Sequence, residues 1–211
     1  LDQYARMFGL GESTGIELKE NTGMVAGPDA SKRLEQTWYE GQTLAAAIGQ
    51  DNNQFTPLQL ANYIATLVNG GTHYSAHLLK SVKSYDYSEV LYEREPEVLD
   101  TIEIAPENLN AVLEGMRLVA AEGGTTYRFF KDLPVTVGAK TGSAQVSSTT
   151  ESNAVFVCFA PYEDPEIALA VVVEKGGSGM ELAAIAADVL EYYFSTGTGL
   201  EAAAKENTLL R

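Results

Sequence analysis

Residues 153–160, Asn-Ala-Val-Phe-Val-Cys-Phe-Ala, are apolar at successive positions rather than at alternate ones. Successive side chains of a strand point to opposite faces, so such a run needs cover on both sides and belongs in the middle of a sheet. Its neighbours at 134–146 and 166–175 also have strand patterning, and short polar or proline-containing turns, such as 162–165, join the three. The simplest reading is three adjacent antiparallel strands.

The helical signals surround this block. Thr56, Pro57 and Gln59 form a T-P-x-Q start with a capping box, and Leu60, Ile64, Leu67 and Val68 make one apolar face before Gly70 and Gly71 stop it, which predicts a helix over 57–69. A second helix is expected at 106–122, where Leu109, Val112, Leu113, Met116 and Val119 recur at helical spacing before Gly123 and Gly124. A third is expected at 179–194, with Ser178 and Glu181 spaced as a capping box and alanines at 183, 184, 186 and 187 that allow close packing on a sheet. Segments 72–85 and 90–104 look like a more polar strand pair, 19–42 is rich in loop residues, and 196–211 has the composition of a flexible tail. Helices on both faces of an antiparallel sheet give a three-layer α/β fold.

Charge and composition narrow the function. Fourteen basic against 29 acidic residues leave a net charge of −15, the wrong sign for nucleic-acid backbones or anionic lipid. The longest apolar run, 167–173, is too short to cross a bilayer, and the N-terminus has no signal-peptide layout. The single cysteine, Cys158, excludes an internal disulfide, and its strand context points to a buried, inert thiol. His73 and His77 stand four apart but follow a Gly-Gly pair in strand-like sequence without the Glu of a zincin motif, so no metal is expected. Gly9 with Gly11, and Gly176 to Gly179, lack phosphate-loop spacing and read as turns.

The segment 138–145, G-A-K-T-G-S-A-Q, carries the chemistry. K-T-G alone turns up by chance in about two or three per cent of chains this long. Here it lies on a predicted strand followed by two apolar strands and a helix, the setting of the third motif of penicillin-recognising serine enzymes. Further pieces follow the same order along the chain: Tyr4 to Gly11, Thr14 to Leu18, Ala47 to Gln50, Thr56 to Ala61, Asn69 to Thr72, Gly115 with Met116, Gly123 to Thr125, Phe156 to Pro161, and Val171 to Glu174. Taken together they resemble the C-terminal part of the transpeptidase domain of class B, high-molecular-weight penicillin-binding proteins, across almost the whole chain.

That resemblance implies a β-lactamase/transpeptidase-like α/β fold and a D,D-transpeptidase that cross-links peptidoglycan through an acyl-serine. It implies that Lys140 brings positive charge and hydrogen bonds to the cleft, and that the hydroxyls of Thr141 and Ser143 bind the carboxylate of substrate or penicillin. The Ser143 N–H would be one of two oxyanion-hole donors. Gly142 would let an extended peptide approach the strand closely, adding at an open edge. Gln145 completes the implied substrate-binding set. Stem peptides and β-lactams are the implied ligands, other cell-wall synthesis proteins the implied partners, and the extracytoplasmic face of the cell membrane the implied location. No cofactor, metal or nucleic acid is implied.

The pattern also departs from the family. None of the eight lysines has Ser or Thr three residues before it, and no Ser or Thr is followed two positions later by Asn, so S-x-x-K and S-x-N are absent. The expectation is a piece of one transpeptidase domain, 1–211, that begins after S-x-N. Nucleophile, base and membrane anchor would then lie upstream, together with a strand that pairs with 166–175. A β-lactamase or β-lactam sensor of the same fold, and a non-catalytic cell-wall scaffold, are the alternatives.

Overall fold

The run at 153–160 is indeed the middle strand of a three-stranded antiparallel sheet. The computed structural model describes residues 1–147 and 149–195, so the tail expected at 196–211 lies outside the described residues. Its elements are helices α1 (Asp2–Met7), α2 (Pro28–Arg33), α3 (Glu40–Ala47) and α4 (Pro57–Val68), strands β1 (Thr72–Tyr74), β2 (Ser81–Lys83), β3 (Val90–Glu93) and β4 (Val98–Thr101), helices α5 (Pro106–Ala120) and α6 (Tyr127–Phe130), strands β5 (Gly138–Ala144), β6 (Asn153–Ala160) and β7 (Ile167–Val173), and helix α7 (Ala183–Ser195). The chain divides into two compact units, Leu1–Leu109 and Asn110–Arg211. No described helix is long and apolar enough to cross a membrane.

In the second unit the sheet runs β5-β6-β7, with Gly138 opposite Phe159 through Ala144 opposite Asn153, and Ala154 opposite Val173 through Ala160 opposite Ile167. Ala154, Phe156 and Cys158 turn one face of β6 into a core shared with Leu182, Ala183, Ala186 and Leu190 around α7. The ring of Phe130 on α6 stacks on Phe156 with centroids 6.1 Å apart. Val157 and Phe159, on the opposite face, are buried as well, which is the two-sided burial the sequence demanded. A fully buried side chain of this size contributes about 1.5–3 kcal/mol, so the two phenylalanines are large terms in the stability of this sheet. Among the described residues β5 and β7 each have one strand neighbour and form the two edges.

The third helix starts later than its capping-box spacing suggested. The Ser178 hydroxyl accepts from the Met180 N–H at 3.3 Å instead of capping at Glu181, whose carboxylate pairs with Arg128 at 2.7 Å. The helix proper begins at Ala183.

The first unit is organised by α4. Thr56 and Gln59 form the expected capping box, the Thr56 hydroxyl accepting from the Gln59 N–H at 3.2 Å and the Gln59 side chain accepting from the Thr56 N–H at 2.9 Å. Gln59 is also almost fully buried, and its Nε2 donates to the carbonyls of Glu12 at 2.7 Å and Thr22 at 2.8 Å. One side chain thus starts the helix and satisfies two loop carbonyls that would otherwise be unpaired. Helices α1, α2, α3 and α6 are additional to the sequence reading; α2 and the start of α3 fall inside the stretch read as loop.

The expected strand pair at 72–85 and 90–104 is corrected to two short ladders, β1 with β4 and β2 with β3. The break has a physical cause in residues 76–79. The Ala76 N–H donates to the Thr14 carbonyl at 2.7 Å, and those of Leu78 and Leu79 donate to the Glu17 carboxylate at 2.9 and 3.4 Å. Amides committed to the 14–17 loop cannot continue the strand ladder.

Candidate functional site

Strand β5 is the chemically loaded element. Its register places Ala139, Thr141 and Ser143 opposite Cys158, Phe156 and Ala154, on the face that carries α7, and Lys140 and Gly142 opposite Val157 and Val155 on the other face. Only β6 pairs with it among the described residues, so alternate residues of β5 turn their N–H and C=O groups to an open edge. Lys140 and Ser143 are exposed, and Thr141 and Gly142 half-buried. The apolar part of β5 anchors at Ala139, while the polar part reaches the surface.

The side chains are held by local contacts. Lys140 Nζ donates to the carbonyl of its neighbour Thr141 at 2.6 Å, which keeps the ammonium along the strand. The Ser143 hydroxyl accepts from the Gly179 N–H at 3.3 Å. Gln145 lies one residue beyond the strand, with Nε2 at 3.5 Å from the Ser147 carbonyl. A Cβ built at Gly142 would meet only Val155, at 3.5 Å, so the fold itself leaves room on that side of the strand. The structure therefore brings Lys140, Thr141, Gly142 and Ser143 together on one edge strand and sets Gln145 in the connection that follows. A cation, two hydroxyls and an unpaired strand edge can hold an extended ligand that ends in a carboxylate.

Other candidate groups stand in different settings. Burial pushes the Cys158 thiol up to about 12, so it stays protonated and unreactive. His73 is buried, its Nε2 3.1 Å from Asn62 Nδ2, and burial lowers its pKa, with Asp100 opposing. His77 is on the interrupted segment, with Nδ1 3.1 Å from the Leu79 carbonyl. Gly9 and Gly11 both have positive φ, and the His73 ring fills the space beside Gly9. A separate cavity of about 270 Å³, lined by Arg117, Tyr127, Phe130, Lys131 and Val135 among others, contains none of the 140–145 positions.

Sequence reasoning missed Gly179. Its backbone lies against β5 and β6, where a Cβ would collide with the carbonyl oxygens of Gly142 and Val155. The signal was present as a glycine four residues before a helix, but its partner is 36 residues away.

The chain is similar to known proteins over most of its length. The transpeptidase family, described as the penicillin binding protein transpeptidase domain, matches residues 1–191. The peptidoglycan D,D-transpeptidase MrdA of Salmonella typhimurium is 30% identical over 212 residues, covering 92% of this chain and 34% of its own. The structure of a complex between penicillin-binding protein PBP2 and MreC from Helicobacter pylori is similar with a TM-score of 0.76 and 28% identity, over 92% of this chain and 35% of that one. Penicillin-binding protein A from M. tuberculosis, solved as an imipenem acyl-enzyme complex, is similar with a TM-score of 0.67 and 27% identity, over 88% of this chain and 40% of that one. The chain spans about a third of the length of the curated relatives it matches.

Proposed function

Since the chain belongs to the penicillin-binding protein transpeptidase family, related to MrdA and PBP2, we propose that it is the C-terminal part of a peptidoglycan D,D-transpeptidase domain. The observation that carries this reading is the K-T-G-S segment on an edge strand with an open side, because the family's chemistry needs a substrate peptide beside that strand. In the whole protein a serine upstream of this chain attacks the D-Ala-D-Ala peptide bond, and the terminal D-Ala leaves with the proton that makes it an amine. The acyl group passes from the serine to an amine of a neighbouring stem peptide. A penicillin enters the same path and stays on the serine.

Within that reaction Lys140 supplies positive charge to the cleft, and the Thr141 and Ser143 hydroxyls hold the terminal carboxylate. The Ser143 N–H points to the oxyanion, where losing one such donor typically costs about 3 kcal/mol or more of transition-state stabilisation. Gly142 keeps the strand surface low for the peptide, and Gln145 borders the ligand beyond the strand. The complex that the similar PBP2 forms with MreC supports protein partners for the whole protein, and the reading places it on the extracytoplasmic face of the cell membrane, with its anchor upstream.

Acylation kinetics test the reading. In the full-length protein, Lys140→Ala and Thr141→Val are each expected to slow acylation by penicillin about tenfold or more while changing thermal stability little. The 211-residue chain alone is expected to form no covalent adduct with a fluorescent penicillin. Rates within about twofold of the unsubstituted protein for both variants, or labelling of the isolated chain that survives denaturing electrophoresis, would overturn it.

A further inference from the structure

We propose that Gly179 is a positioning residue that sets the Ser143 hydroxyl as a hydrogen-bond donor toward the ligand carboxylate, an inference that rests on the transpeptidase reading. A serine hydroxyl has one hydrogen and can both donate and accept. Here its oxygen accepts the Gly179 N–H at 3.3 Å. That contact fixes the oxygen and leaves the single hydroxyl hydrogen free to point at an anion. A hydroxyl whose hydrogen were spent on a protein carbonyl would instead offer a carboxylate only lone pairs.

The loop that presents this amide is tied to the strands it serves. The Lys175 N–H donates to Asn153 Oδ1 at 2.9 Å and the Gly177 N–H to the Ser152 carbonyl at 2.9 Å, so 175–177 is fastened to the start of β6. On the other side of the amide, Glu181 pairs with Arg128 and Leu182 is buried. Between these anchors Gly179 presses on the backbone of Gly142 and Val155 so closely that a Cβ would collide with both carbonyl oxygens. Those oxygens belong to paired strands and cannot swing aside as a side chain would. Gly179 has no positive φ, so space and not backbone freedom requires glycine there. With the β5–β6 ladder holding those oxygens in place, even one methyl group must lift the Gly179 amide away from Ser143.

The test is made in the full-length protein with two ligands, benzylpenicillin, which carries a carboxylate, and its methyl ester, which does not. Gly179→Ala is expected to lower the rate constant for acylation by benzylpenicillin about tenfold and that for the ester less than about threefold, with thermal stability within a few degrees. Ser143→Ala should reproduce this narrowing of ligand preference. In the Ser143→Ala background the Gly179 substitution should then change the benzylpenicillin rate by less than about twofold. Equal losses on both ligands, or independent losses in the double variant, would show that Gly179 acts only through general packing and would overturn the proposal. If Gly179→Ala does not fold, hydrogen exchange at the Gly179 amide in Ser143→Ala decides. Exchange about tenfold faster than in the unsubstituted protein supports the contact, and unchanged exchange overturns it. An unsubstituted full-length protein that no penicillin acylates would overturn the transpeptidase reading itself, and the proposal with it.

Discussion

Of the eight residues of β6, six are buried and two half-buried, whereas all eight residues of β3 and β4 are exposed. Both regions are antiparallel and rich in Val, Leu, Tyr or Phe, so strand propensity does not separate them. The difference is what each is fastened to. The β5-β6-β7 sheet is held by side chains, with Phe156 and Cys158 packed among the residues of α7. The β1–β4 and β2–β3 ladders are held by backbone bonds, at their break by the Thr14 carbonyl and the Glu17 carboxylate, and at the β2–β3 turn by Asp86, which accepts from both Ser84 and Ser88. A sheet built by packing offers a rigid edge, and the motif strand β5 lies on that kind of sheet. Ladders built by hydrogen bonds leave Tyr85, Val90 and Leu91 in solvent.

Core truncation should expose this contrast most strongly. Phe156→Ala removes a ring with no exposure from between α6 and α7, and a loss of about 3–5 kcal/mol in urea unfolding is expected. Leu91→Ala, at 63% exposure, should stay within about 0.5 kcal/mol. A comparable loss at both positions would mean that the ladder is packed as tightly as the sheet, and the comparison would fail.

The same contrast explains what could be read in advance. Burial on both faces leaves a mark in every residue of 153–160, and β6 has the bounds its sequence indicates. Helix α4 was legible because its cap, first-turn proline and apolar face are local. The break in the ladders was not, because the acceptor for Leu78 is Glu17, 61 residues earlier, and no local pattern announces it. The start of α7 was displaced for a related reason, since Ser178 caps Met180 and Glu181 is drawn to Arg128. Helices α1 and α2 have six residues each and no buried apolar stripe to betray them. At the site, the residue types of 140–143 were readable, and the contact from Gly179 that holds Ser143 was not.

A smaller effect is expected where polar contacts replace packing in the first unit. Gln59→Leu keeps a side chain of similar size but abandons the carbonyls of Glu12 and Thr22 and the amide of Thr56. Leaving such groups buried without partners should cost about 2–3 kcal/mol in urea unfolding. A neutral result would show that water reaches these groups and that the loop is not held through Gln59.

Acid and alkaline titration sharpen the comparison with the smallest effects, because His73 in the first unit and Cys158 in the second are buried with opposite habits. Burial lowers the pKa of His73 from its ordinary 6.5, so the unfolded chain takes up the proton first as pH falls. Stability from this group is complete above about 6.5 and declines on acidification through the lowered folded value. Burial raises Cys158 from 9.0 to about 12, so the unfolded chain loses its proton first as pH rises, and stability declines above about 9. Between those limits neither group contributes a slope. The carboxylates of Glu17 and Glu20, also lowered, act only below about 4.5, which leaves pH 5 to 6.5 as a window in which His73 can be read without them. Urea midpoints measured across pH should therefore lose their acid-side slope between 5 and 6.5 in His73→Gln, and their slope between about 9 and 10 in Cys158→Ala, whereas above about 10 Tyr63, whose pKa burial also raises, keeps a slope in both proteins. Persistence of the acid slope in His73→Gln would place the titrating group elsewhere, and the first unit would then lack the buried neutral imidazole that its packing beside Gly9 requires.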